Sequence, residues 1–592
     1  MIPRIARQLY RRRPPNEPLI SFILFLLILP NFTASQLVRP LSIPYSSSFS
    51  VNSGESTYFE LPSTQDEQLF FTLSLCSPPD QLATSPLPSH LNTSLYVSTT
   101  SSNQQPGPDN IPSEANGQGG ISKLKFGAAN VTLSGPGVAA DGVWVGVSAP
   151  DDTEFGGSGS GRWVFELDVT NDAPVVLLDG GASFHFEDSD ETSALLTTAN
   201  WTDGQPQPST YTPSYFSIIS PATPQSFSLG RSRCFVRSQN SLPSQDIVAS
   251  ITNRGYGGGT RTQFALSNLP GGTNYTAWLV QNLTEVSNST NATRLWDPIF
   301  FTTKSTTSCR LLYDLEFCPS VAYSVPAPLS LPTSDLVDYF NSTIFPSLKT
   351  FARTLTTFPC NSTKFGQYSV VSTCSDCYEA YRDWLCATTI PRCSDSPSNI
   401  TTLIPTNSSL FDPETDLATW SIPTSYSTSL VRNFPPASRT PSFAPSNLSS
   451  TFPSLFNSSY PPNRQNSLEQ SPFPYSEIPP CMDVCHLVDA RCPSFLGWDC
   501  PTSGDTGKAT YGMTEQIGAG ERIAGDIRHS SRIERAQDRW GNVYCNALGS
   551  DLKMAAQFVT LSASASSTTV NIVSVPSVLF LLVASVFAFN FV

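Results

Sequence analysis

Fourteen cysteines are distributed very unevenly over the 592 residues. Two, Cys76 and Cys234, precede residue 300. The other twelve are Cys309, Cys318, Cys360, Cys374, Cys377, Cys386, Cys393, Cys481, Cys485, Cys492, Cys500 and Cys545. Four of them fall in "CSDCYEAYRDWLCATTIPRC" (374–393), spaced C-x2-C-x8-C-x6-C. Thiols this dense are bridged, metal-bound or redox-active, and each choice demands a different fold. Zinc ribbons space their pairs C-x2-C-x15–20-C-x2-C, which this run does not match. Only four histidines exist, and His486 alone lies beside a cysteine cluster. A thioredoxin-like C-x-x-C opens a helix after a buried strand in a βαβ unit, and no such alternation surrounds it. Structural disulfides are the favoured reading. Twelve is an even number and suits six bridges, whose pairing order alone cannot give. Cys76 and Cys234 either pair across two modules or leave one thiol free.

The ends of the chain agree with an oxidising compartment. Arg4, Arg7, Arg11, Arg12 and Arg13 precede an apolar run from Leu19 to Leu29, then Pro30 and the small residues Thr33 to Ser35. That order reads as a secretory signal over 1–35, because the run is shorter than the ~20 residues needed to span a bilayer. At the other end, small residues at 562–567 and an apolar tail over 568–592 read as a glycosylphosphatidylinositol (GPI) attachment signal, with Ser564 as candidate site. A retained membrane helix is the alternative, although nothing basic follows Val578. N-x-S/T sequons occur at Asn31, Asn92, Asn130, Asn200, Asn274, Asn282, Asn288, Asn291, Asn341, Asn361, Asn399, Asn407, Asn447 and Asn457; all but Asn31, inside the signal, are candidate N-glycosylation sites. Export to the outer face of the plasma membrane, through the endoplasmic reticulum, is the expectation. The net charge of −14 argues against nucleic-acid binding.

Residues 36–173 look β-rich. Leu69, Phe71, Leu73 and Leu75 alternate, as do Trp163, Phe165, Leu167 and Val169, with Glu166 and Asp168 expected outside. A β-sandwich is expected there. A second β domain, 174–305, carries "TQFALSNLPGGTNYTAWLVQN" (262–282), similar to the late hairpin of fibronectin type III-like domains, with "FFTTK" (300–304) as closing strand. From 306 the chain turns mainly α-helical and disulfide-rich, in parts 306–393 and 481–548. Leu336, Phe340, Ile344, Leu348, Phe351 and Leu355 make one helical stripe, with Ser334 as candidate cap. Between those parts, 394–480 is rich in Ser, Pro and Asn and reads as a disordered, glycosylated insertion. A linker, 549–567, leads to the tail.

Motifs for chemistry are scarce. "FHFEDSDET" clusters Glu187, Asp188, Asp190 and Glu191; calcium could use such oxygens, but EF-hand spacing is missing and a solvated acidic loop is favoured. "NRGYGGGTR" (253–261) lacks a P-loop lysine and reads as a turn. No nucleophile elbow, H-E-x-x-H or triad is present, so neither an enzyme nor a cofactor is expected. Tyr381, Trp384 and Trp498 pack against disulfides or serve as anchors for a partner.

Taken together, "CSDCYEAYRDWLCATTIPRC" and "DRWGNVYCNALGSD" resemble the fungal stretch-activated calcium-channel components, the mating-induced death family, over most of 36–560. The C-x3-C-x6-C-x7-C run at 481–500 also looks like a frizzled-type cysteine-rich domain. The resemblance implies calcium influx at the plasma membrane, alongside a large four-repeat, voltage-gated-like pore subunit. A pore needs protein walls through ~30 Å of hydrocarbon, and the chain offers one apolar run at each end. An extracellular auxiliary subunit is therefore expected, reaching toward the cell wall. An autonomous stretch-activated cation channel is the alternative, and an anchored, frizzled-like ligand-binding or cell-wall protein a second one.

Overall fold

The computed structural model describes residues 38–84, 87–88, 90–112, 119–172, 174–179, 184–199, 201, 215–254, 260–282, 293–328, 330–360, 368–369, 372–395, 432–434, 475–501, 511, 515–516, 534–535, 543 and 545–548. The signal, the linker, the tail with Ser564, and most of the 394–480 insertion lie outside these residues. Among the described residues, no helix is long and apolar enough to cross a membrane.

Nine strands form the first region: β1 (Arg39–Pro40), β2 (Tyr45–Asn52), β3 (Ser56–Leu61), β4 (Gln68–Ser77), β5 (His90–Ser98), β6 (Gly119–Lys125), β7 (Ala128–Ser134), β8 (Val143–Ser148) and β9 (Arg162–Thr170). Period-two alternation puts one face of each strand inward. Leu69, Phe71, Leu73, Leu75, Trp163, Phe165, Leu167 and Val169 are all fully buried. The expected two-sheet sandwich is instead one mixed sheet, ordered β1-β3-β8-β5-β6-β7-β4-β9-β2. It curls into a half-barrel until strands from its two ends face each other across the core, Phe49 of β2 and Phe59 of β3 meeting at 4.9 Å between ring centroids. Phe126 and Gly127 turn β6 into β7, both with positive φ (53° and 83°), as the turn that matches strand twist requires. Glu166 and Asp168, expected outside, are buried. A helix of the second region covers that face.

That second region comprises β10 (Val176–Asp179), β11 (Phe184–Ser189), β12 (Ala194–Thr198), β13 (Tyr215–Pro221), the helices α1 (Gln225–Ser228) and α2 (Arg233–Ser238), β14 (Ile247–Thr252), β15 (Arg261–Leu266), β16 (Asn274–Asn282), β17 (Thr293–Trp296) and β18 (Ile299–Thr302). One sheet runs β10-β17-β16-β13, with β18 also on β16; the other runs β11-β12-β15-β14. The segment read as a hairpin is therefore not one, because β15 and β16 belong to different sheets. The link 267–273 is long enough to step from sheet to sheet, so Phe264 and Leu266 meet Tyr275 and Ala277 in one core. Ile299–Thr302 does pair with β16. No gap in packing marks the boundary near 174. Trp278, Val280, Leu295, Phe235 and Val236 sit in the first region's core, and Cys76–Cys234 ties α2 to β4.

The cysteine-rich region opens with a hairpin, β19 (Cys309–Tyr313) and β20 (Ala322–Pro326). Then come α3 (Thr333–Leu355), α4 (Cys374–Thr389), β21 (Arg392–Asp395), β22 (Arg432–Phe434), β23 (Tyr475–Ile478) and α5 (Met482–Arg491). The apolar stripe of α3 is buried, from Leu336 through Leu355. Pro332 occupies the cap position without a side-chain bond, and Ser334 donates to Asp335 instead. α4 starts on a reciprocal capping box between Thr373 and Asp376. Its Cys377, Ala380 and Cys386 enter the same core as Val484, Leu487 and Val488 of α5. β21 and β23 pair antiparallel, Cys393 opposite Glu477, so the insertion leaves and rejoins the fold at adjacent points. Arg432–Phe434 adds a short strand to β23.

Candidate functional site

The acidic run of β11 is the sharpest departure from the sequence reading. Glu187, Asp188 and Asp190 are not a solvated loop but are buried, at 4%, 3% and 7% exposure. They meet the hairpin β19–β20 and β21 of the next region. Asp188 accepts from Lys304 Nζ at 2.6 Å, Arg392 Nε at 2.9 Å and the Ser324 amide at 3.1 Å. Arg392 also donates to the Glu187 carbonyl at 2.6 Å. The Ser189 carbonyl takes Lys304 Nζ and the Ser324 hydroxyl. Asp190 accepts from the Thr192 and Ser193 amides on one oxygen and the Leu311 amide on the other. These carboxylates have protein donors where a calcium ion would need free oxygens. Burial opposes ionisation of Asp188, yet Arg392 and Lys304 outweigh it and hold its carboxyl below the ordinary value. Glu187 is pushed up by burial, although Thr197 donates to it at 2.5 Å. The cluster clamps the second β region onto the cysteine-rich region.

The twelve late cysteines form six bridges: Cys309–Cys393, Cys318–Cys386, Cys360–Cys374, Cys377–Cys492, Cys481–Cys545 and Cys485–Cys500. Cys76, Glu166 and Cys234 lie within metal-ligand distance of one another, but both sulfurs belong to a disulfide. Beside that bridge, Arg233 reaches Asp168 at 3.3 Å and Glu166 at 3.6 Å. Burial raises both carboxyls.

Tyr381, Trp384 and Trp498 are brought together. Trp384 and Trp498 meet edge-to-face at 4.5 Å, and Tyr381 stacks on Phe351 at 3.7 Å. Trp384 Nε1 donates to the Tyr511 hydroxyl at 2.8 Å. All three are half-buried, so they pack against the bridged core and still reach solvent. Tyr511 was not anticipated, since nothing local marks a tyrosine that lies 127 residues from its partner. Nearby, a cavity of about 460 Å³ runs along the seam between β14 and α4, lined by Arg254, Asp314, Glu316, Glu379, Arg382 and Asp383 among others. Its charges are largely matched internally: Arg254 pairs with Asp314 at 3.2 Å, and Asp383, raised by burial, pairs with Arg382 at 3.3 Å.

The sequons differ in setting. Asn92 and Asn341 are exposed. Asn130 Nδ2 donates to the Val176 carbonyl at 3.1 Å, and Asn274 Oδ1 accepts from Thr302 at 2.7 Å. The side chain of Asn282, and Asn31, Asn200, Asn288, Asn291, Asn361, Asn399, Asn407, Asn447 and Asn457, lie outside the described residues.

Residues 68–525 match the family described as Mid1, stretch-activated Ca2+-permeable channel component. The chain is 29% identical over 374 residues to the stretch-activated cation channel yam8 of Schizosaccharomyces pombe, covering 61% of this chain and 63% of that one. It is 27% identical over 384 residues to the stretch-activated cation channel MID1 of Saccharomyces cerevisiae, 60% of each. With the protein of the same name from Cryptococcus neoformans var. grubii it shares 26% identity over 499 residues, 74% of this chain and 71% of that one. The matched part thus spans less than two thirds of the first two relatives. Neither the family nor these relatives are described as enzymes. On a match that takes in well over half of its length, the chain belongs to the Mid1 family of stretch-activated Ca2+-permeable channel components.

Proposed function

We propose that the chain serves stretch-activated calcium entry as an extracellular, membrane-anchored subunit working with a large four-repeat, voltage-gated-like channel polypeptide. The observation that carries this reading is covalent: all fourteen cysteines are bridged, in both the β and the helical regions. Such bracing persists in exported proteins and not in reducing compartments. The sequons and the terminal signals of the sequence point the same way. The half-buried group of Tyr381, Trp384 and Trp498 supplies rigid aromatic area for the partner's outer loops. A frizzled-like role of the cysteine-rich region would lie in the same surface.

A second reading, an autonomous stretch-activated cation channel, is favoured by the names of the relatives, which speak for it more directly than for an auxiliary role. One experiment separates the two. The full-length chain is purified, reconstituted into liposomes and patched under tension, alone and together with the four-repeat polypeptide. The auxiliary reading expects silence alone, and co-purification that weakens when Trp498→Ala removes an aromatic from the surface. Unitary currents from the chain alone would establish the second reading.

A further inference from the structure

On α3 the buried stripe leaves an outward face carrying Asp338, Asn341, Ser342, Phe345 and Lys349, all exposed. Phe345 is the anomaly, an aromatic ring 54% exposed among polar neighbours. Asn341 begins the sequon Asn341-Ser342-Thr343 and stands one turn before Phe345. Residues four apart on a helix are surface neighbours. A long helical side chain leans over the turn N-terminal to its own Cα, so the ring of Phe345 extends toward Asn341. The Asn341 side chain makes no hydrogen bond among the described residues, and its amide is available.

We propose that Asn341 carries an N-linked glycan whose first N-acetylhexosamine lies on the ring of Phe345. The apolar C–H face of that sugar covers the ring, while its hydroxyls and acetamide stay in water. The donor is an oligosaccharide on a lipid diphosphate. Asn341 Nδ2 attacks the anomeric carbon and an N–C bond forms; the C–O bond to phosphate breaks, the lipid diphosphate departs, and one amide proton is lost. In the finished helix the Ser342 and Thr343 hydroxyls both donate to the Tyr339 carbonyl, at 2.8 and 2.9 Å. Transfer therefore precedes formation of α3. Asn130 is the counter-example on the same chain. Its Nδ2 is bonded to the Val176 carbonyl of β10 and its Oδ1 is buried, so a chain that carried sugar there could not make that contact, and the folded protein is bare at Asn130. The proposal rests on the exported reading above.

Glycopeptide mass spectrometry of the full chain from its native membranes is the first test. Sugar is expected at Asn341 and Asn92, with Asn130 unmodified. Sugar at Asn92 with Asn341 bare overturns this proposal alone, whereas a chain bare at every sequon overturns export as well. The second test treats the folded protein with a peptide-N-glycosidase and follows binding of a fluorescent apolar dye and the unfolding midpoint. Removing the glycan is expected to raise dye binding and to lower the midpoint by on the order of 1–2 °C. In Phe345→Ser, which keeps the other glycans, both responses to deglycosylation should be smaller. Equal responses with and without the ring would show that sugar and phenylalanine do not touch.

Discussion

Asp188 holds two cations that reach it from distant points in the chain. Lys304 bonds one of its oxygens and Arg392 the other, and all three side chains are at most 10% exposed. Removing the carboxylate leaves two buried positive charges facing each other, which costs about 3–5 kcal/mol. Asp188→Asn should accordingly lower the unfolding midpoint at neutral pH, read by calorimetry; an unchanged midpoint would mean the cations find other partners. The pH dependence follows from the direction of the shift. A carboxyl whose folded pKa lies below its unfolded value of 3.8 contributes stability that is present above that value and disappears as pH falls through the lowered pKa. The wild-type chain should therefore lose the Asp188 contribution only below about pH 4, while Asp188→Asn, lacking it throughout, shows a smaller change there. Glu166 and Asp168, raised by burial, act in the opposite sense: their ionisation weakens the fold as pH rises through their raised values.

Among the elements, α4 carries half of the six bridges in the cysteine-rich region: Cys374, Cys377 and Cys386 leave it toward Cys360, Cys492 and Cys318. Cys386→Ser removes a cross-link worth roughly 2–4 kcal/mol and strands the thiol of Cys318 in the core. The variant should be held before the cell surface, as surface biotinylation would register; normal delivery with full calcium uptake would contradict this. The helices and strands themselves were readable from sequence where one periodicity ran unbroken, as in the stripe from Leu336 to Leu355 or the alternation from Trp163 to Val169. The acidic strand was not readable, because its burial depends on Lys304 and Arg392, 116 and 204 residues away. Local composition says "solvated" there, and only the tertiary fold overrules it. Cross-link pairing and the sheet change between β15 and β16 were hidden for the same reason. The aromatic group was partly legible: Trp384 and Trp498 stand out in any composition, whereas Tyr511 does not.

At the scale of the whole molecule, three regions that composition separates are packed into one another. The first core takes in Trp278 and Leu295 of the second region, and the second is clamped to the third through β11. Within the third, Cys377–Cys492 is the sole disulfide that joins residues before the 394–480 insertion to residues after it, since the other five close on one side or the other. Limited proteolysis within the insertion should give one band on a non-reducing gel and two on a reducing gel. Replacing Cys377 and Cys492 together should give two bands in both; a single non-reducing band from that variant would reveal a different pairing.

The bridges also set how far the chain can lengthen under a pull. Cys76–Cys234 closes a loop of 158 residues and Cys377–Cys492 one of 115. An extended chain pays out roughly 3.3–3.6 Å per residue, so these two loops withhold on the order of 900 Å of contour from any pull on the ends. With both loops closed, only the contour outside them can lengthen under such a pull, and the folded segments inside are shielded from it.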